Sequence, residues 1–191
     1  AGSTWSIGGE GQSLYMVRIS EKGQQMWENG YYAKKRDRYL GKSLAKINDE
    51  HVMVAGSEEH IKFFNSDVLC YLSGININGQ EKWVQRYGGG NPDRANSMIK
   101  VKDGFVSAGV TETWGADGKN MYVVKIDTGG KRLWHQTFGY DNDEEANQVI
   151  ATRDGGYILV GSTNSDHKKL NDVYVVKLDA NGNRQWHHRY G

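Results

Sequence analysis

The sequence predicts an all-β fold. It is a β-propeller built from four-stranded blades of about 50 residues, with about three and a half to four blades in this chain. Three observations predict it. Four tryptophans, Trp27, Trp83, Trp134 and Trp186, each close a copy of one phrase: YMVRISEKGQQMW, YLSGININGQEKW, YVVKIDTGGKRLW and YVVKLDANGNRQW, at intervals of 56, 51 and 52 residues. A glycine stands four residues before each tryptophan, at Gly23, Gly79, Gly130 and Gly182. The composition is that of a turn-rich β protein, with 25 Gly, one Pro, 11 Tyr and 6 Trp in 191 residues.

The last repeat lays out the strands in order. EEANQVIAT (144–152) forms a first strand, and DGGYILVGST (154–163) gives a turn and a second. VYVVKLD (173–179) alternates as a third, and RQWHHRYG (184–191) is the fourth. Ala180-Asn181-Gly182-Asn183 joins the last two, and Asn-Gly predicts a two-residue hairpin. Seven residues before each tryptophan stands Ser20, Asn76, Asp127 or Asp179, whose side chains bond their own backbone and fix the turn.

Four residues after each tryptophan comes Tyr31, Tyr87, Phe138 or Tyr190. In a strand these two positions share a face, so each pair is predicted to pack between adjacent blades. Truncating one such buried tryptophan should cost ~3–5 kcal/mol. Gly2, Gly56, Gly109 and Gly161 recur at one register of the second strand. They mark a crowded place, predicted near a propeller axis, although a strand glycine also marks bulges.

The blades divide the chain into a part-blade at 1–32 and blades at 33–88, 89–139 and 140–191. The opening AGSTWS aligns with VGSTNS (160–165), so the first blade is expected to lack its first strand and most of its second. Open sheet faces of this kind are normally covered. Other copies of the chain, or the remainder of a longer one, are expected to complete the ring. Residues 28–66 depart most from the repeat.

The phrase VVKLDANGNRQW resembles the signature of the pyrroloquinoline-quinone-like (quinoprotein-like) β-propeller repeat, with Val175, Val176, Asp179, Gly182 and Trp186 in its positions. Asp127, Gly130 and Trp134 match equally. Asn76 and Ser20 replace the Asp in the two earlier copies. The resemblance covers nearly the whole chain and extends to repeats of uncharacterised exported bacterial and archaeal proteins. It implies the propeller fold and an extracellular, cell-surface or periplasmic location. Activity does not follow from fold.

A net charge of +1 gives no field favouring nucleic acid, and no apolar run is long enough to span a membrane. The single cysteine, Cys70, lies in a predicted strand and reads as a buried thiol. His187 and His188 are strand neighbours facing opposite sides, so they do not chelate one metal, and His135 repeats the position of His187. Asp179-Asn181-Asn183 has the spacing that opens a calcium loop but lacks the distal Glu, so a hairpin explains it better. Asp141, Asp143, Glu144 and Glu145 form an acidic loop. No metal site and no catalytic residue is assigned.

Two places are candidate ligand sites. Lys34, Lys35, Arg36 and Arg38, with Lys42 and Lys46 and flanked by Tyr31, Tyr32 and Tyr39, form the one basic cluster, suited to phosphate or an acidic glycan. Trp5 and Trp114 stand in equivalent loops after the second strand, where aromatic rings stack on sugars. The expected function is a non-catalytic binding, scaffold or assembly module without a cofactor, with a glycan or protein as possible ligand. The alternatives are a carbohydrate-binding lectin-like propeller and a fragment of a quinoprotein dehydrogenase using pyrroloquinoline quinone and Ca²⁺.

Overall fold

A computed structural model describes residues 2–4, 12–31, 37–61, 66–140, 142–164 and 171–191. The chain is all-β there, in four antiparallel sheets. The first sheet has three strands, β1 (Gly2–Thr4), β2 (Ser13–Ile19) and β3 (Gln25–Tyr31). The second holds β4 (Arg38–Lys46), β5 (His51–Ile61), β6 (Ser66–Asn76) and β7 (Glu81–Tyr87). The third holds β8 (Asp93–Val101), β9 (Gly104–Thr111), β10 (Asn120–Ile126) and β11 (Arg132–Phe138). The fourth holds β12 (Glu144–Ala151), β13 (Tyr157–Thr163), β14 (Asp172–Leu178) and β15 (Arg184–Tyr190). Every sheet is a meander in which each strand pairs with the next in sequence.

The sheets stack in chain order, apolar face against apolar face. The second face of one sheet meets the first face of the next. Leu14, Met16, Trp27 and Tyr31 pack on Val54, Tyr71 and Ile75. Met53, Ala55, Cys70 and Leu72 pack on Met98, Phe105, Tyr122 and Ile126. Val106, Met121, Val123 and Phe138 pack on Val149, Leu159, Tyr174 and Val176. The first strands also meet, β4 against β8 and β8 against β12.

The recurring strand glycines have a local cause. Gly56, Gly109 and Gly161 each lie opposite a bulge in the first strand of their sheet, at Gly41/Ser43, Ala95/Ser97 and Ala146/Gln148. A Cβ on Gly161 would fall 1.7 Å from the Glu145 carbonyl oxygen, and one on Gly109 2.0 Å from that of Arg94. The bulge turns a carbonyl into the neighbouring strand, so the crowding arises within the sheet.

The 179–183 turn corrects the two-residue hairpin that Asn-Gly suggested. Gly182 N–H donates to the Asp179 carbonyl, and Asp179 N–H donates to that of Asn183. This makes a three-residue loop with Gly182 at φ +85° and a bulge at Lys177/Leu178. The Asp179 carboxylate selects it by accepting the Asn181 and Asn183 amides, both at 2.8 Å. Asp127 holds Gly129 and Lys131 in the same way, and Asn76 holds Asn78 and Gln80.

Candidate functional site

The most repeated geometry is the joint between sheets. Trp27, Trp83 and Trp134, each on the last strand of its sheet, lie beside the turn glycine of the following sheet. A Cβ on Gly130 would come within 2.7 Å of the Trp83 ring, and one on Gly182 within 2.9 Å of the Trp134 ring. At the first joint a Gly79 Cβ would meet Asn29 and the Trp27 ring. The positive φ of these glycines, between +77° and +85°, shapes the turn, and the missing side chain admits the indole. Hydrogen bonds fix the register. Trp27 Nε1–H donates to the Ile77 carbonyl at 2.7 Å, and the Tyr31 hydroxyl to the Gly79 carbonyl at 2.8 Å. The Tyr87 hydroxyl donates to the equivalent Gly130 carbonyl, and burial pushes that phenol up to about 12.

The positions on either side of this face build a second motif. His135 stands edge-on to Trp114 and Tyr122, with centroids 5.4 and 5.9 Å away. His187 sits likewise between Tyr140 and Tyr174, and its Nδ1 lies 2.8 Å from the Tyr140 hydroxyl. Burial is the main cause that lowers both imidazoles below the ordinary histidine value, with nearby arginines adding to it. His188 points to the opposite face and stacks on Trp186 at 5.3 Å.

Buried acids tie the ends of the strands together. Asp93 pairs with the Thr111 hydroxyl, and Glu144 with that of Thr163 at 2.6 Å. Each also accepts a loop amide, Gly89 N–H and Tyr140 N–H respectively. In the second sheet the acid has moved across to the partner strand. Glu58 occupies the threonine position, opposite Tyr39, and holds the Tyr39 hydroxyl, Arg86 and His60. This relocation is one departure of the second sheet from the repeat.

The structure places the sequence candidates as follows. Trp5, Lys34, Lys35 and Arg36 lie outside the described residues. Arg38 lies 3.6 Å from Glu59, and Lys46 pairs with Asp49, so these two cations have acidic neighbours. Trp114 is half-buried, with its ring on Tyr122 at 5.5 Å. Its loop borders a polar depression of about 380 Å³ lined by Asn91, Glu112, Thr113 and Asp117. Asp141 lies outside the described residues. Asp143 accepts the Lys119 amide, Glu144 is buried, and Glu145 faces Asn96, so the acidic run points three ways. Cys70 is buried, and that burial pushes its thiol up to about 12.

One groove escaped the sequence reading. An apolar hollow of about 330 Å³ runs beside the edge of β2, lined by Val17, Ile19, Trp27, Leu44 and Val52. Among the described residues β1 covers only the Ser13–Tyr15 part of that edge.

No protein-family model and no curated protein matches this chain. Among the described residues no group of three or more His, Cys, Asp or Glu is placed to hold a metal ion. The Asp179 carboxylate is engaged by its own turn, with Asn181 and Asn183 amides on one oxygen and Asn183 Nδ2 on the other at 3.0 Å. No helix there is long and apolar enough to cross a membrane.

Proposed function

We propose that this chain is a β-propeller array acting as a non-catalytic binding, scaffold or assembly module of an exported protein. The observation that carries it is the joint between sheets, which recurs three times: a tryptophan beside the turn glycine of the next sheet. Four-stranded meanders joined in this way are blades, and the first strands that meet at β4, β8 and β12 are their inner edges. Export rests on the resemblance of the repeat phrase alone.

The ionisable side chains serve the same architecture. Asp93, Glu144 and Glu58 hold strand ends. Lys125 and Lys177 lie buried along their strands with Asp103 and Asp154 at their tips. Asp154 is held well below the usual carboxylate range, chiefly by Lys177. A rigid ring whose loops vary is a suitable platform for a partner. The test is a titration of the purified chain with pyrroloquinoline quinone and Ca²⁺, followed by visible absorbance and by dye-linked alcohol oxidation. Absence of turnover is the expected result. Saturable cofactor binding with turnover would replace this proposal by the dehydrogenase.

A further inference from the structure

The joint that links the sheets has two halves, and among the described residues one copy of each is unused. The unused donor is the second face of the fourth sheet. There Trp186 is 40% exposed and Tyr190 58%, whereas Tyr87 and Phe138 at the equivalent place are 9% and 8% exposed. Val173, Val160 and Ile150 are exposed on that same face. Their counterparts one sheet earlier, Met121, Ala108 and Ile99, pack into the core.

The unused acceptor is the first face of the first sheet. Val17 and Ile19 are exposed there, although the matching Val124 and Ile126, and Val176 and Leu178, are all fully buried. The turn beside them has the same build as the three occupied ones. Gly23 has φ +75°, Gly23 N–H donates to the Ser20 carbonyl, and the Ser20 hydroxyl accepts Gln24 N–H. A Cβ on Gly130 or Gly182 would meet an indole ring and one on Gly79 the Asn29 amide with the Trp27 ring behind it, whereas Gly23 has nothing within 4 Å.

We propose that the chain associates head to tail with a second copy of itself, the Trp186–Tyr190 face of each seating on the Gly23 turn and the Val17–Ile19 face of the other. This rests on the stacked-blade reading above and extends it to a partner. Donor and acceptor are different surfaces, so the contact is heterologous, and two such contacts close a two-copy ring. The internal joints supply its details. Trp186 covers Gly23 as Trp134 covers Gly182. The Tyr190 hydroxyl donates to the Gly23 carbonyl, as those of Tyr31 and Tyr87 do to Gly79 and Gly130. His188 takes the place of Asn29, whose amide also reaches the Gly79 carbonyl. A contiguous face with an exposed tryptophan and tyrosine at its centre is also the composition of a protein interface.

The experiment is light scattering coupled to size exclusion on the wild-type chain, Trp186→Ala, Val17→Asp, and an equimolar mixture of the two variants, with circular dichroism to show that each is folded. Both substitutions fall on exposed side chains, so the isolated fold tolerates them. The wild-type chain is expected at twice the 21.5 kDa of one copy. Each variant alone should dissociate with Kd raised about thirtyfold or more, as for an interface hot spot. The mixture should recover a dimer, because Val17→Asp keeps an intact donor face and Trp186→Ala an intact acceptor. A folded wild-type monomer overturns the association, as does a dimer indifferent to both substitutions. Either result leaves the module reading to its own cofactor test.

Discussion

Alanine at Gly130 and at Gly155 should have different costs although the two backbones are alike. Gly130 has φ +84° and Gly155 φ +83°. Each donates its N–H to the carbonyl three residues earlier, at 3.1 and 3.0 Å. At Gly155 a Cβ meets nothing within 4 Å, so only the left-handed backbone is penalised. That strain is ~1–2 kcal/mol, offset by ~0.4–1 kcal/mol through the stiffer unfolded chain, which leaves about 1 kcal/mol. At Gly130 the same Cβ lies 2.7 Å from one Trp83 ring carbon, 3.0 Å from another and 2.9 Å from Gln85 Cγ. The indole has to move in a packed joint, which adds about 1–3 kcal/mol of overpacking. Urea unfolding followed by tryptophan fluorescence measures both variants against wild type. Gly130→Ala should be the less stable by about 1–3 kcal/mol. Equal losses would show that the glycine serves its turn alone and that the tryptophan does not depend on it.

Three further outcomes follow from the same geometry. Glu144→Ala removes the acceptor of the Thr163 hydroxyl and of the Tyr140 amide and should cost about 2–5 kcal/mol in thermal or urea unfolding; a loss below about 1 kcal/mol contradicts the buried pairing. His135 and His187 should titrate below ordinary histidine in NMR. Their folded-state values are depressed, so the stability they contribute is complete above the unfolded value near 6.5 and declines as pH falls from there toward the folded value. An imidazole titrating at or above 6.5 would remove the aromatic enclosure as the cause. Cys70 should resist a thiol reagent until urea unfolds the chain, and rapid labelling of the native protein would contradict its burial.

The repeat was legible because the joint uses residues fixed by local chemistry. A turn that needs Asp179 or Asn76, then a glycine, then a strand opening on tryptophan leaves a pattern within a dozen residues. The partner of each tryptophan was not legible. Trp83 lies on Gly130 and not on Gly79, which stands only four residues before it, and no local pattern encodes a contact one sheet away. Gly109 and Gly161 admitted a bulge as one reading, and its place was hidden because the extra residue sits in the neighbouring strand. The second sheet departs from the repeat at its buried acid, which changed strands. Glu58 opposite Tyr39 replaces the pairing of Asp93 with Thr111, which preserves a buried carboxylate while erasing the sequence match. Among the candidate ligand residues, Trp114 looked like a loop aromatic, and its packing on Tyr122 and His135 depends on residues up to 21 positions away.

The most direct test of the interlocking sheets is the NMR shift of the glycine α-protons. Gly130 and Gly182 lie against the rings of Trp83 and Trp134, and Gly155 faces no side chain within 4 Å. The Gly130 and Gly182 α-protons should show ring-current shifts that Gly155 lacks, and Trp83→Ala should return Gly130 alone to its ordinary position. Ordinary shifts at all three glycines, or a Gly130 shift that survives Trp83→Ala, would contradict the tryptophan-on-glycine joint.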